Sequence, residues 1–128
     1  MTERIANYIK GRMQAFKHAF NGVDILFTEE SNSKVQVVLA IVALLMGCFL
    51  RISAMEWIAL CIVIGLVFAM EAVNSAIENL SDFTCNERFE ESIKKTKDLS
   101  AAAVLFTAIA ALITGLIIFL PKLLNLYF

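Results

Sequence analysis

Apolar residues recur at steps of three and four from Ile5 through Ile9, Met13, Phe16, Phe20 and Val23 to Phe27, while Arg4, Asn7, Lys10, Gln14, Lys17, Asn21 and Asp24 fall away from that stripe. The spacing predicts an amphipathic helix over about residues 3–28, too polar to cross a bilayer. A soluble core helix has the same period; the apolar remainder of the chain favours a helix lying in the membrane interface. Thr28 to Lys34 is a polar break. From Val35 to Leu50 only Gln36 is polar, and taken on to Ile52 the run reaches about 18 residues, just enough to cross about 30 Å of hydrocarbon. Arg51, Ser53 and Glu56 mark a very short turn. A second run, Ala54 to Leu80, is about 27 residues long, so one end must protrude as helix, and that end carries Glu78 and Asp82. Residues 82–98 form a charged linker with Glu87, Arg88, Glu90, Glu91, Lys94, Lys95 and Lys97, free of Gly and Pro and compatible with a further surface helix. A third run, Leu99 to Leu120, is closed by Pro121-Lys122. The pattern predicts an all-α membrane protein in a single domain, residues 1–128, with three transmembrane helices at about 35–52, 54–80 and 99–120 and an N-terminal amphipathic surface helix.

Composition strengthens this picture. Hydrophobic residues make up 59% of the 128, and mean hydropathy is +0.75, well above the soluble norm. Net charge is −1, and no basic, aromatic-interleaved patch points to nucleic acid. Cys48, Cys61 and Cys85 are odd in number and mostly sit in apolar runs, so they read as buried thiols and not as a disulfide framework or metal site. Charge breaks residues 1–30 throughout, so no cleavable signal peptide is expected. Arg4, Lys10, Arg12, Lys17, Lys34, Arg88, Lys94, Lys95 and Lys97 all fall on one side of the three spans, with only Arg51 and Lys122 on the other. The positive-inside bias puts the N-terminal helix and the linker 82–98 in the cytoplasm, as in a multi-pass protein of a bacterial inner membrane.

Candidate chemistry gathers on the second run. At about 100° per residue, Glu71, Asn74, Glu78 and Asp82 fall near 0°, 300°, 340° and 20°, so three carboxylates and an amide share one stripe. Ionised carboxylates at membrane depth are costly and mark a functional site by default. Carboxylates that open on a phosphate-rich cytosol suit Mg²⁺, a hard ion that takes one or two carboxylates plus substrate phosphates. A remaining carboxylate can accept a proton from a hydroxyl nucleophile, and Lys97 can neutralise charge on a transferred phosphoryl group. Gly11, Gly22, Gly47, Gly65 and Gly115 are too scattered to form a phosphate-cradling loop. Any nucleotide is therefore held by carboxylates, metal and basic residues. The pattern suits phosphoryl transfer to a lipid alcohol.

Glu71-x-x-Asn74-x-x-x-Glu78-x-x-x-Asp82, followed by Lys97-Asp98-x-x-x-Ala102-x-Val104, resembles the signature of the small prokaryotic diacylglycerol kinase family, which includes undecaprenol kinases. The resemblance extends over nearly the whole chain. It implies a homotrimeric membrane kinase, with active sites shared between subunits, that transfers the ATP γ-phosphate directly to a lipid hydroxyl. By position, Glu71 would be the general base with Asn74 beside it. Glu78 would bind Mg²⁺ together with Glu30, or with Glu29 as the fallback. Glu30, Glu78, Asp82, Lys97 and Asp98 would contact ATP. The chain departs from some relatives in a linker one residue longer, without a histidine near its middle, and in Ala101 where they carry serine. The tail Ile117-Ile-Phe-Leu-Pro-Lys122 looks more like the undecaprenol branch, with diacylglycerol and undecaprenol both left open as substrates.

Each residue also has a plainer use. Glu71 and Glu78 suit a helix-bundle ion pair, or a proton relay in a small cation- or proton-coupled transporter, although a relay needs acids spread across the bilayer and here they crowd at one end. Glu29-Glu30 suits a solvated helix end, and Lys94-Lys95-x-Lys97 a run facing lipid headgroups. His18 reads as surface, Trp57 as an interfacial anchor, and Ser100-Ala-Ala-Ala as a small-residue face for close helix packing, which fits an oligomer.

Overall fold

The computed structural model describes residues 2–85 and 90–127, which form four helices: α1 (Thr2–Glu29), α2 (Ser31–Phe49), α3 (Ala54–Cys85) and α4 (Glu91–Tyr127). Three of them, α2, α3 and α4, are long and apolar enough to cross a membrane. At 1.5 Å per residue the 19 residues of α2 span about 28 Å, barely the hydrocarbon thickness. The 32 residues of α3 reach about 48 Å, so α3 must project well beyond the bilayer.

The turn from α2 to α3 is built from local chemistry. Ile52 N–H donates to the Gly47 carbonyl (3.1 Å) and Arg51 N–H to that of Cys48 (3.3 Å), while Arg51 takes a left-handed φ of 49°. This is a Schellman closure, which satisfies carbonyls that the helix end would otherwise leave bare, with arginine where glycine is usual. The next helix starts with a capping box: Ser53 N–H donates to Glu56 Oε2 (2.6 Å), and Glu56 N–H donates to Ser53 Oγ (3.3 Å). Gly47 is buried because the Trp57 ring lies against it; a Cβ there would come within 2.9 Å of Trp57 Cη2. Ile52, Leu60, Ile118 and Phe119 make the small core at this end, with Met46, Leu50 and Trp57 packed around them.

α3 and α4 run antiparallel and form the most extensive helix pair. Lys122 reaches Glu56 (3.2 Å) at one end, and Lys97 reaches Asp82 (2.7 Å) at the other. Between these clasps α4 turns Ser100 and Thr107 inward, each donating its hydroxyl back to the carbonyl three residues earlier. Small side chains on α4 let the backbones approach, as in membrane bundles. α4 does not stop at Pro121 but continues to Tyr127. Proline removes only its own N–H bond to the preceding turn, a loss membrane helices tolerate, and the Lys122–Glu56 pair holds the following turn on α3. The charged stretch is also more helical than a linker: Asp82–Cys85 complete α3, and Glu91–Asp98 open α4. Glu87 and Arg88 lie outside the described residues.

α1 meets the bundle at its C-terminal end. Leu26 is buried and Phe27 stands edge-on to Phe68, ring centroids 5.4 Å apart. Upstream, Ile5, Ile9, Met13, Phe16 and Phe20 are all exposed.

Candidate active site

Phe68 is one helical turn before Glu71, so the docking of α1 marks the level at which the carboxylates begin. Glu71 is only 2% exposed. It is not stranded: Gln36 Nε2 of α2 donates to Glu71 Oε2 at 2.8 Å. A buried carboxylate without such a donor would carry the full desolvation cost. One turn on, Asn74 is buried and its Nδ2 donates to Glu78 Oε1 at 2.9 Å, leaving Glu78 half-buried. Two amides therefore each donate into one carboxylate, and their own carbonyls are left over. Gln36 Oε1 and Asn74 Oδ1 are buried without a hydrogen-bond partner among the described residues, as are the hydroxyls of Ser33 and Ser75. Buried acceptors in this state are rare and mark where a donor, water or ion belongs.

Glu30 is the N-cap residue of α2, half-buried, while Glu29 is exposed. α2 and α3 run antiparallel, tied by Gln36–Glu71 near one end and Gly47 against Trp57 at the other. Going back from Gln36 to Glu30 covers about 9 Å of rise, and going on from Glu71 to Glu78 covers about 10 Å in the same direction. Glu30 and Glu78 thus stand at the same level, one on each helix. Among the described residues no three His, Cys, Asp or Glu side chains gather to hold a metal. The donors present, two carboxylates at one level and the unpaired Asn74 carbonyl, are hard oxygens that fit Mg²⁺ sharing its coordination with phosphates.

Farther out, Asp82 accepts from Lys97 Nζ at 2.7 Å, bridging α3 and α4. That hydrogen bond, helped by the charges of Asp82 and Glu78 and opposed by desolvation, raises Lys97 above the usual lysine range. Asp98 turns to Lys94 instead (2.6 Å), and both are well exposed. The structure therefore brings together Glu71 with Gln36, Asn74 with Glu78, and Asp82 with Lys97; Asp98 stands apart from Lys97. Sequence reasoning noted Gln36 only as an interruption of the first apolar run and passed over Ser33 and Ser75. The available signal was that lone amide in a membrane span.

A buried carboxylate braced by an amide, an outer carboxylate held by a second amide, and a lysine–aspartate clasp at the rim of three membrane-crossing helices suit a membrane enzyme that handles phosphate. The comparisons give the class its family. The sequence pattern of the prokaryotic diacylglycerol kinase family matches residues 17–119. An undecaprenol kinase of Bacillus subtilis is 32% identical over 117 residues, covering 91% of this chain and 94% of that protein. A diacylglycerol kinase of Synechocystis is 32% identical over 112 residues, or 88% of this chain, which spans 64% of that relative's length. A diacylglycerol kinase of Escherichia coli is 29% identical over 106 residues, 83% of this chain and 86% of its own length. The chain belongs to the prokaryotic diacylglycerol kinase family, whose enzyme class is lipid kinase. None of these relatives is named as a transporter, and the acids cluster at one end of the spans, so a transport role is not favoured.

Proposed function

We propose that this protein phosphorylates a membrane lipid alcohol, with ATP as donor and Mg²⁺ as its partner ion. The observation that carries the reading is Glu71: a buried carboxylate, fixed by Gln36, beside the Asn74–Glu78 pair. The lipid hydroxyl gives its proton to Glu71, its oxygen forms a bond to the γ-phosphorus, and the bridging bond to the β-phosphate breaks, releasing ADP. Asn74 keeps Glu78 aligned. Glu78 and Glu30 would hold Mg²⁺, which supplies neutralisation of phosphate charge when bound. Asp82, Lys97 and Asp98 would flank the nucleotide, Lys97 as the cation nearest the carboxylate stripe. The reaction has no phosphoenzyme.

Lysine and arginine bias supports a cytoplasmic N-terminus and linker 82–98 in a bacterial inner membrane. The exposed apolar stripe of α1 suits a helix lying in the interface. The large exposed apolar surface of α2–α4 suits a homotrimer surrounded by lipid. The lipid is undecaprenol or diacylglycerol: the relatives carry both names, and the tail 117–122 favours undecaprenol. Purified protein in lipid, given labelled ATP and each alcohol in parallel, is expected to make one labelled lipid phosphate in a Mg²⁺-dependent way. ATP turnover without lipid phosphate, or cation movement without ATP turnover, would refute the reading.

A further inference from the structure

We infer that Gln36 is a positioning residue for phosphoryl transfer; the inference rests on the kinase reading above. Gln36 is the one polar side chain in the first apolar run, and its amide is spent on Glu71. A carboxylate has two oxygens. With Nε2 of Gln36 fixed on Oε2 at 2.8 Å, Glu71 cannot rotate freely, and Oε1 is left to take the proton of the lipid hydroxyl. Oε1 of Gln36 is buried with no partner among the described residues. With the proton on Oε1, Oε2 of Glu71 remains an acceptor, so the bond from Gln36 Nε2 persists when Glu71 is protonated. One side chain thus holds Glu71 in both protonation states. Among the described residues no other side chain hydrogen-bonds Glu71.

A second observation places Gln36 where the substrate's two ends meet. An apolar cavity of about 570 Å³ runs between α2, α3 and α4, and among the described residues Gln36 is the only polar side chain lining it. Phe68 and Leu39 flank that end, while Leu123 lies at the far one. An alcohol whose tail follows this cavity brings its hydroxyl to the carboxylate that Gln36 holds. The amide is thus at the junction between an apolar slot and the proton acceptor. A hydrogen bond of this kind orients the base without touching nucleotide, which distinguishes it from the Asn74–Glu78 pair.

The test uses full-length protein in lipid bilayers. Gln36→Met keeps the volume and removes both donor and acceptor. Its kcat is expected to fall at least about tenfold, with the KM for MgATP and for the lipid alcohol within about twofold of the parent. A kcat within about twofold of the parent, or a loss fully recovered at saturating lipid, overturns the proposal. Should Gln36→Met fail to fold, Gln36→Glu, which keeps the length but sets an acceptor against an acceptor, is expected to lose kcat in the same way, and full kcat there overturns the proposal equally. Glu71→Gln is the separate control. Loss of turnover in Glu71→Gln beside full turnover in Gln36→Met sinks the role of Gln36 and leaves the base intact. Full turnover in Glu71→Gln sinks the base itself.

Discussion

At the scale of single residues, the site is a set of amide–carboxylate pairs, and each pair makes a different prediction. Glu71→Gln keeps the shape and the volume but removes the proposed proton acceptor, so kcat is expected to drop about 10²–10⁴-fold while the helical content by circular dichroism is unchanged. Asn74→Ala removes the donor that aligns Glu78 (2.9 Å), and the Mg²⁺ concentration for half-maximal rate is expected to rise about 10-fold or more, measured by titrating Mg²⁺ at fixed ATP. Lys97 adds a pH prediction. Its bond to Asp82 raises its folded-state pKa, so its contribution is fully present below the usual lysine titration and lost only as pH rises through the raised value. The difference in melting temperature between the parent and Lys97→Met is expected to stay constant from about pH 6 to 9 and to shrink only above the lysine range near about 10.4. The shared face of Glu71, Asn74, Glu78 and Asp82 was legible because one helix has one period. Gln36 was not, because which residue of α2 meets Glu71 depends on the register between two helices, and an isolated amide in an apolar run does not state its partner.

At the scale of elements, the apolar runs announced which stretches are helices but not where they end. α2 stops at Phe49, three residues short of Ile52, because the Schellman bonds from Arg51 and Ile52 close it. α3 and α4 run on through the charged stretch because the boundary of lipid is not a boundary of helix: Asp82 and Lys97 bond across the two helices outside it. The capping box was written in the sequence as Ser53-x-x-Glu56 but read only as a turn. Proline at 121 pointed to an end that the backbone does not make, since a helix already packed on α3 survives the loss of one N–H bond. In the hairpin Gly47 packs directly on the Trp57 ring. A methyl group there would lie 2.9 Å from the indole and 3.0 Å from Ile52 Cδ1, and both neighbours belong to the small core or its rim. Gly47→Ala is expected to destabilise the protein by about 1–3 kcal/mol, read as an earlier midpoint in denaturant unfolding from micelles. In the same assay Arg51→Gly is expected to stabilise it by up to about 1 kcal/mol, because glycine takes the left-handed φ of 49° without its steric cost.

At the scale of the whole molecule, the surface is too large for a chain that folds around its own core. The accessible area is 9983 Å² for 14.2 kDa, whereas a compact soluble monomer of that mass exposes about 6,800 Å². Much of the excess is apolar, on α1 and on the spans, where Phe49, Met55, Phe106 and Ile117 are each at least 70% exposed, and the core proper is a handful of residues at the α2–α3 turn. Lipid covers part of this surface. Near Glu71 the Asn74 carbonyl and the Ser33 and Ser75 hydroxyls are buried without partners among the described residues. The exposed apolar surface of the spans is the physical case for the proposed trimer. Light scattering with detergent correction is expected to give three times the chain mass of 14.2 kDa, and stepwise transfer into harsher detergent is expected to abolish lipid phosphorylation in step with the loss of that species. Mixing inactive Glu71→Gln chains with inactive Glu30→Gln chains extends the test. If each site draws Glu71 and Glu30 from different subunits, mixed trimers regain turnover toward a fraction of the parent; if one chain supplies both, the mixture stays inactive. A monomeric mass with full activity would remove the trimer from the account while leaving the carboxylate chemistry of α3 unaffected.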